Sequence, residues 1–292
     1  MTLLRKLFTA TLILFIVLTV AGIVYVLFQE EPSAIKETKK FIKQTARETV
    51  KPKDKSKKSA SVKAAPLREV AIIIDDIGYD LDAVRELLKI KADLTFAIVP
   101  FQRHSREAAE LFHKAKKETL LHLPMEPVSY PDEKPGEGAL FTDMSDEEIA
   151  LQLRKNFTAV PHVSGVNNHM GSKFMMDEKK LSVVFRELKK RNMFFVDSRT
   201  SADTKTAAAN GNAGLKIGER KVFIDNHRDY NKIYANLMNV ADGADISAEI
   251  IIGHPYPETV RALKDATKIM RQKGVSIVPV SRLVNKMKYH PS

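Results

Sequence analysis

The run VAIIID (70–75), with Asp76 after it, decides the fold. Five apolar residues in a row, four of them β-branched, read as a buried strand. That strand ends on two adjacent carboxylates.

Outward from it, short apolar runs alternate with longer amphipathic ones. Strands are predicted at 70–75, 94–100, 118–124, 163–169, 193–198, 221–226, 248–255 and 275–280. Helices are predicted at 80–90, 103–117, 146–159, 177–191 and 229–240, and a last one is opened by Pro257 and ended by Gly274. Ser145 and Glu148 form a capping box at the third of these. Residues 203–219 fit neither pattern. Strands alternating with helices imply a parallel sheet with helical crossovers. Seven to eight such strands over some 220 residues imply a closed or nearly closed (β/α) barrel, with an open doubly wound sheet as the alternative. No GxGxxG or Walker-type glycine loop supports a nucleotide site.

Upstream, Leu7 to Phe28 carries no charge and follows Arg5 and Lys6. Its length of roughly 33 Å as a helix spans a bilayer core of about 30 Å. It is longer than a signal-peptide core and lacks an A-x-A cleavage pattern, so 1–28 reads as a signal anchor, with a cleaved signal peptide as the alternative. The residues after it, 29–68, form a Lys-rich linker; within it 35–50 has helical spacing and KPKDKSKKSASVKAAP (51–66) has almost nothing large and apolar to pack. The barrel domain is then 69–292. The expected location is a single-pass membrane protein with its body periplasmic or otherwise extracytoplasmic; long domains translocate largely regardless of charge.

The full chain has 292 residues and a net charge of +11. Residues 29–68 hold 12 Lys/Arg and 5 Asp/Glu, and Arg5 and Lys6 add two cations, so the body is nearly neutral. No nucleic-acid partner is expected. The absence of Cys excludes disulfides, thiolate metal sites and a cysteine nucleophile.

In parallel α/β folds the chemistry sits at the carboxyl ends of the strands. Here those ends carry Asp75 and Asp76, His122 with Glu126 beyond, Asn167-Asn168-His169, Asp197-Ser198-Arg199, Asp225-Asn226-His227, and His254. Four of the eight His residues fall there. Like charges at the edge of a core are costly unless a cation neutralises them. A divalent ion held by oxygen and nitrogen ligands, Zn²⁺ first, answers that.

The segments IIIDDIG, LHLPMEP, GVNNHMGS, FFVDSRTS and IIGHPYPET, in this order, resemble the divergent polysaccharide deacetylase family, a branch of the carbohydrate esterases with a NodB-type distorted (β/α) barrel. The resemblance covers about 69–285. It implies Asp75 as general base, Asp76 and His122 as metal ligands, and His254 as general acid. Glu126 stands where the family's second metal His would be, and His169 competes for that place. NNHMGS replaces the family's Arg-Pro-Pro-Tyr-Gly type motif. Asp225 and Asp197 are expected to tune His254; Asn168, Arg199 and His227 are expected on the substrate side. The implied activity is removal of acetyl groups from an envelope polysaccharide or peptidoglycan-type amino sugar. A non-catalytic saccharide-binding scaffold, or another metal-dependent hydrolase, are the alternatives.

Overall fold

The computed structural model describes residues 68–211, 213–243 and 249–287. The expected signal anchor and nearly all of the linker lie outside the described residues. Among the described residues no helix is long and apolar enough to cross a membrane.

The elements alternate as β1 (Arg68–Ile77), α1 (Leu81–Leu88), β2 (Thr95–Ile98), α2 (Ser105–Lys114), β3 (Glu118–Met125), α3 (Asp146–Ala159), β4 (Gly165–Met170) and α4 (Glu178–Lys190). Then follow β5 (Phe194–Asp197), α5 (Thr206–Asn210), β6 (Ile217–Phe223), α6 (Tyr230–Asp242), β7 (Glu249–Gly253), α7 (Pro257–Gln272), β8 (Val275–Ile277) and α8 (Val280–Val284). Local chemistry sets the helix starts. Asp80, Asp177 and Asp229 cap with their side chains, Ser145 and Glu148 form the reciprocal box, and Pro257 opens α7.

All pairings are parallel, and β1 to β7 close on themselves through a β1–β2 pairing. The result is a closed seven-stranded barrel with an eighth strand attached. β1 is long because one of its edges is shared. Arg68–Val70 pairs with β8, and from Ile73 onward the same edge pairs with β2. Its other edge pairs with β7 over Val70–Ile74.

Two cores result. Ile72, Ile74, Phe96, Leu121 and Phe195 face outward against the helices. Ala71, Ile73, Leu120, Val196, Ile250 and Ile252 face inward and fill the barrel. Gly218 is required there, because a Cβ at that position would come within 2.6 Å of Ile250 Cδ1 and 2.8 Å of Val284 Cγ2. The amino-terminal mouth is plugged by Val280, Leu283 and Val284 of α8. Val280 N–H donates to Thr95 Oγ1 and Ser281 N–H to Glu118 Oε2, each at 3.1 Å.

Two differences from the sequence reading have a local cause. The last strand stops at Ile277, because Pro279 offers no N–H to a ladder and opens α8 instead. The sixth strand is Ile217–Phe223 and not 221–226. Its middle, Glu219-Arg220-Lys221, is charged, which hides it from an apolar-run search, and a register irregularity between Arg220 and Val222 follows.

Candidate metal centre and active site

Strand alternation selects which side chains enter the barrel. On β1 the inward series is Ala71, Ile73, Asp75; on β3 it is Leu120, His122; on β7 Ile250, Ile252 and then His254. On β4 it is Gly165, Asn167, His169, and His122 lies in direct register with Asn167. Each series turns polar at its carboxyl end.

Asp76 has the parity of an outward residue. Its φ of 55° breaks the pleat, and the β1–β2 register shifts between Ile74 and Ile77. Asp tolerates this left-handed conformation better than most residues. The turn brings Asp76 beside Asp75 instead of opposite to it.

Asp76 Oδ1 lies 3.2 Å from His122 Nε2 and 3.0 Å from His169 Nδ1. The two ring nitrogens are 3.1 Å apart. Asp76 Oδ1 is buried yet accepts no well-directed hydrogen bond. Three ligand atoms thus face one another with edges of 3.0–3.2 Å. With metal–ligand bonds of about 2.0–2.1 Å, the edges of a coordination polyhedron are roughly 2.8–3.4 Å. Asp76, His122 and His169 therefore fit a divalent cation, and two imidazoles with one carboxylate suit Zn²⁺.

His122 Nδ1 is 2.9 Å from Asn167 Oδ1. Donation across that contact leaves the Nε2 lone pair for a ligand role. Asn167 Nδ2 in turn donates to Asp75 Oδ1 at 2.8 Å. One amide therefore holds both a candidate ligand and a candidate base. Asp75 Oδ2 stays 3.7 Å from His122 Nε2.

The electrostatics follow from burial and pairing. Burial pushes the Asp75 carboxyl up, and the charges of His122 and His254 only partly offset this. Burial also acts to raise Asp76, but the two histidines facing it outweigh that and hold it well below the usual carboxylate range. Burial acts to lower His122, and Asp75, Asp76 and the Asn167 contact overcome it, pushing this imidazole up to about 9. The cluster thus strongly favours positive charge at its centre.

His254 follows β7, the strand beside β1, with Nε2 4.0 Å from Asp76 Oδ2. Asp225 holds it twice: Oδ2 accepts from His254 N–H at 2.6 Å and Oδ1 lies 3.0 Å from Nδ1. Thr259 Oγ1 donates to the same Asp225 Oδ2 at 2.8 Å. Gly253 allows this approach, since a Cβ there would meet Ile224 at 2.8 Å and Asp225 Oδ2 at 3.2 Å. Burial works against a charged imidazole, and Asp225 outweighs it, so the His254 pKa is raised. The ring sits between Phe223 and Tyr256, with centroids 5.8 and 5.4 Å away. Arg220 covers the Phe223 ring at 3.8 Å and Arg228 the Tyr256 ring at 3.7 Å.

The structure brings together Asp75, Asp76, His122, His169, His254 and Asp225. It keeps five expected residues apart from them. Glu126 does not join the metal cluster: Oε1 takes Lys173 Nζ at 2.7 Å and Oε2 takes the N–H and Oγ1 of Thr142. Asp197 does not reach His254; it accepts from Arg199 N–H, Thr204 and Thr206 and ties down its own loop. Asn168 has outward parity and is consumed by Ser198 N–H, the Met170 carbonyl and Thr200. Arg199 pairs with Glu219 at 3.0 Å. His227 is exposed on the turn before α6, where its carbonyl accepts from Asp229 N–H.

Asn167, Phe223 and Tyr256 were not among the expected site residues. Counting strand parity from His122 and His169 would have found Asn167. Nothing in the sequence pairs the two aromatics with His254.

A closed parallel barrel with an extra strand and a polar carboxyl-end cluster defines a NodB-type (β/α) barrel. A profile described as "Divergent polysaccharide deacetylase" matches residues 72–284, and the chain belongs to that family. The uncharacterized protein YibQ of Escherichia coli (strain K12) is 34% identical over 219 residues, 74% of this chain and 67% of that one. An uncharacterized protein of Haemophilus influenzae is 27% identical over 197 residues, 67% of this chain and 70% of that one. Among solved structures, the uncharacterized protein ATU2773 from Agrobacterium tumefaciens C58 shares the fold, with a TM-score of 0.69 over 75% of this chain and 90% of that one, at 21% identity.

Proposed function

We propose that this protein is a membrane-anchored, metal-dependent deacetylase that acts on an acetylated envelope polysaccharide or peptidoglycan-type amino sugar outside the cytoplasm. The observation that carries the reading is the gathering of Asp75 and the His254–Asp225 pair around the Asp76–His122–His169 triangle. Family membership and the uncharged run at 7–28 support the substrate class and the anchor.

Asp76, His122 and His169 would hold a divalent cation, which would supply Lewis-acid polarisation of the acyl oxygen. Asp75, buried and held through Oδ1 by Asn167, presents Oδ2 to accept a proton from the attacking water. His254, its Nδ1 engaged by Asp225, hands a proton from Nε2 to the departing sugar nitrogen or oxygen. The raised pKa of His254 favours the protonated form that this step needs.

The purified full chain should contain a stoichiometric divalent metal and release acetate from acetylated chitooligosaccharide or peptidoglycan fragments. Asp75→Asn and His254→Ala should keep the metal and lose on the order of 10²–10⁴ in rate. Near wild-type rates in both would sink the mechanism, and full metal content with no acetate from any acetylated glycan would sink the activity.

A further inference from the structure

The two ends of the barrel differ in surface charge. Among the described residues, the helix-to-strand connections hold Lys89, Lys91, Lys116, Lys117, Arg191, Lys216 and Lys273 against one carboxylate, Asp93. In the strand-to-helix connections at the other end, carboxylates outnumber Lys and Arg. Helix dipoles account for cations within a last helical turn, but the effect fades beyond it. Lys91 and Lys216 lie beyond it.

Pairing removes part of this charge. Lys89, Lys117 and Lys273 face Glu86, Asp93 and Asp242. Lys91, Lys116, Arg191 and Lys216 are exposed and, among the described residues, have no carboxylate partner. Two depressions open on this face. One of about 510 Å³ is bordered by Lys91, Lys117 and Arg271 with Asp93, and one of about 390 Å³ by Lys189 and Lys216 with Glu118.

Chain connectivity adds a second, independent observation. β1 starts at Arg68 on this same face, so residues 1–67 lead into it. The uncharged run ends at Phe28, and the residues between carry an excess of lysine. Residues 29–67 thus join the uncharged run to the cationic end of the barrel.

We infer that the amino-terminal face of the barrel docks on the anionic lipid headgroups of the membrane that anchors the chain, which turns the metal centre at the opposite end away from the bilayer. Each exposed lysine contributes a small attraction that salt screens over about 8 Å at physiological ionic strength, so the docking is a property of the set. The inference rests on the anchor and is independent of the deacetylase reading.

The test uses the full chain inserted in bilayers of phosphatidylcholine alone or with one third phosphatidylglycerol. Brief amine acetylation is then read residue by residue by mass spectrometry. Labelling of Lys91, Lys116 and Lys216 should drop about threefold or more in the anionic bilayer and recover in high salt. Lys134 and Lys205, exposed at the other end, should label equally in both. Equal labelling of all five lysines in the two bilayers overturns the docking and leaves the anchor standing. Protection that is as strong in phosphatidylcholine overturns it in favour of a protein partner or a second copy. Failure of the chain to enter either bilayer overturns the anchor and the docking together.

Discussion

The carboxyl end of the barrel buries Asp75, His122, Asn167 and Asp225, whereas the amino end is sealed by Val280, Leu283 and Val284 against Ala71 and Ile250. The same strands build both ends. Along each, the inward series changes character at one layer: Ile73 gives way to Asp75, Leu120 to His122, Ile252 to His254. Below that layer every inward contact adds stability. Above it, charges are held together that would separate if the fold allowed. Chemistry and stability therefore come from different layers of one structure and should respond separately to mutation.

The largest expected contrast is at the metal. Asp76→Ala should abolish metal binding and acetate release, because the ligand triangle loses its only carboxylate. The two histidines that hold the Asp76 carboxyl down also stabilise the metal-free fold, so its thermal midpoint at neutral pH should fall modestly. An unchanged midpoint would show that repulsion from Asp75 cancels that pairing. At the amino end, Leu283→Ala should cost about 2–5 kcal/mol in denaturant unfolding and leave kcat of the folded enzyme unchanged. A change in kcat would mean that the plug communicates with the site.

Asn167→Ala is a finer probe of the upper layer. It removes the acceptor that sets the His122 tautomer, and metal affinity should weaken by about 10–100-fold. Unchanged affinity would leave Asn167 with Asp75 alone. The smallest effect concerns Glu126. Burial pulls its pKa up, but Lys173 and Thr142 outweigh this and keep it below the ordinary 4.5. A carboxylate so shifted stabilises the fold above 4.5, and the contribution is lost as pH falls through the lower folded value. The gap in thermal midpoint between wild type and Glu126→Gln should therefore narrow as pH falls below 4.5. A gap that keeps its size in acid would assign it to shape and not to charge.

Much of this was legible from residues alone. The barrel follows from the alternation of apolar runs and amphipathic helices, and the site from the polar residues that end those runs. What was hidden has physical causes. The positive φ at Asp76 cannot be read from composition, and strand alternation alone would send two neighbouring carboxylates to opposite faces. Glu126, Asp197 and Asn168 are polar strand-end residues like the others, yet their partners are loop N–H groups and hydroxyls that only folding brings near. β6 was displaced because charged residues occupy its middle, and α8 was missed because its five residues are too few to show a period.

The shared edge of β1 has a mechanical side. A pull on residue 68 directed away from the far mouth of the barrel runs along the strands, so the β1–β7 and β1–β8 ladders resist it together in shear. Ladder bonds loaded in that direction share the force, whereas a pull across the strands would open them one at a time. A protein tethered at one mouth and gripping a stiff polymer at the other would feel tension along the axis on which its hydrogen bonds act collectively.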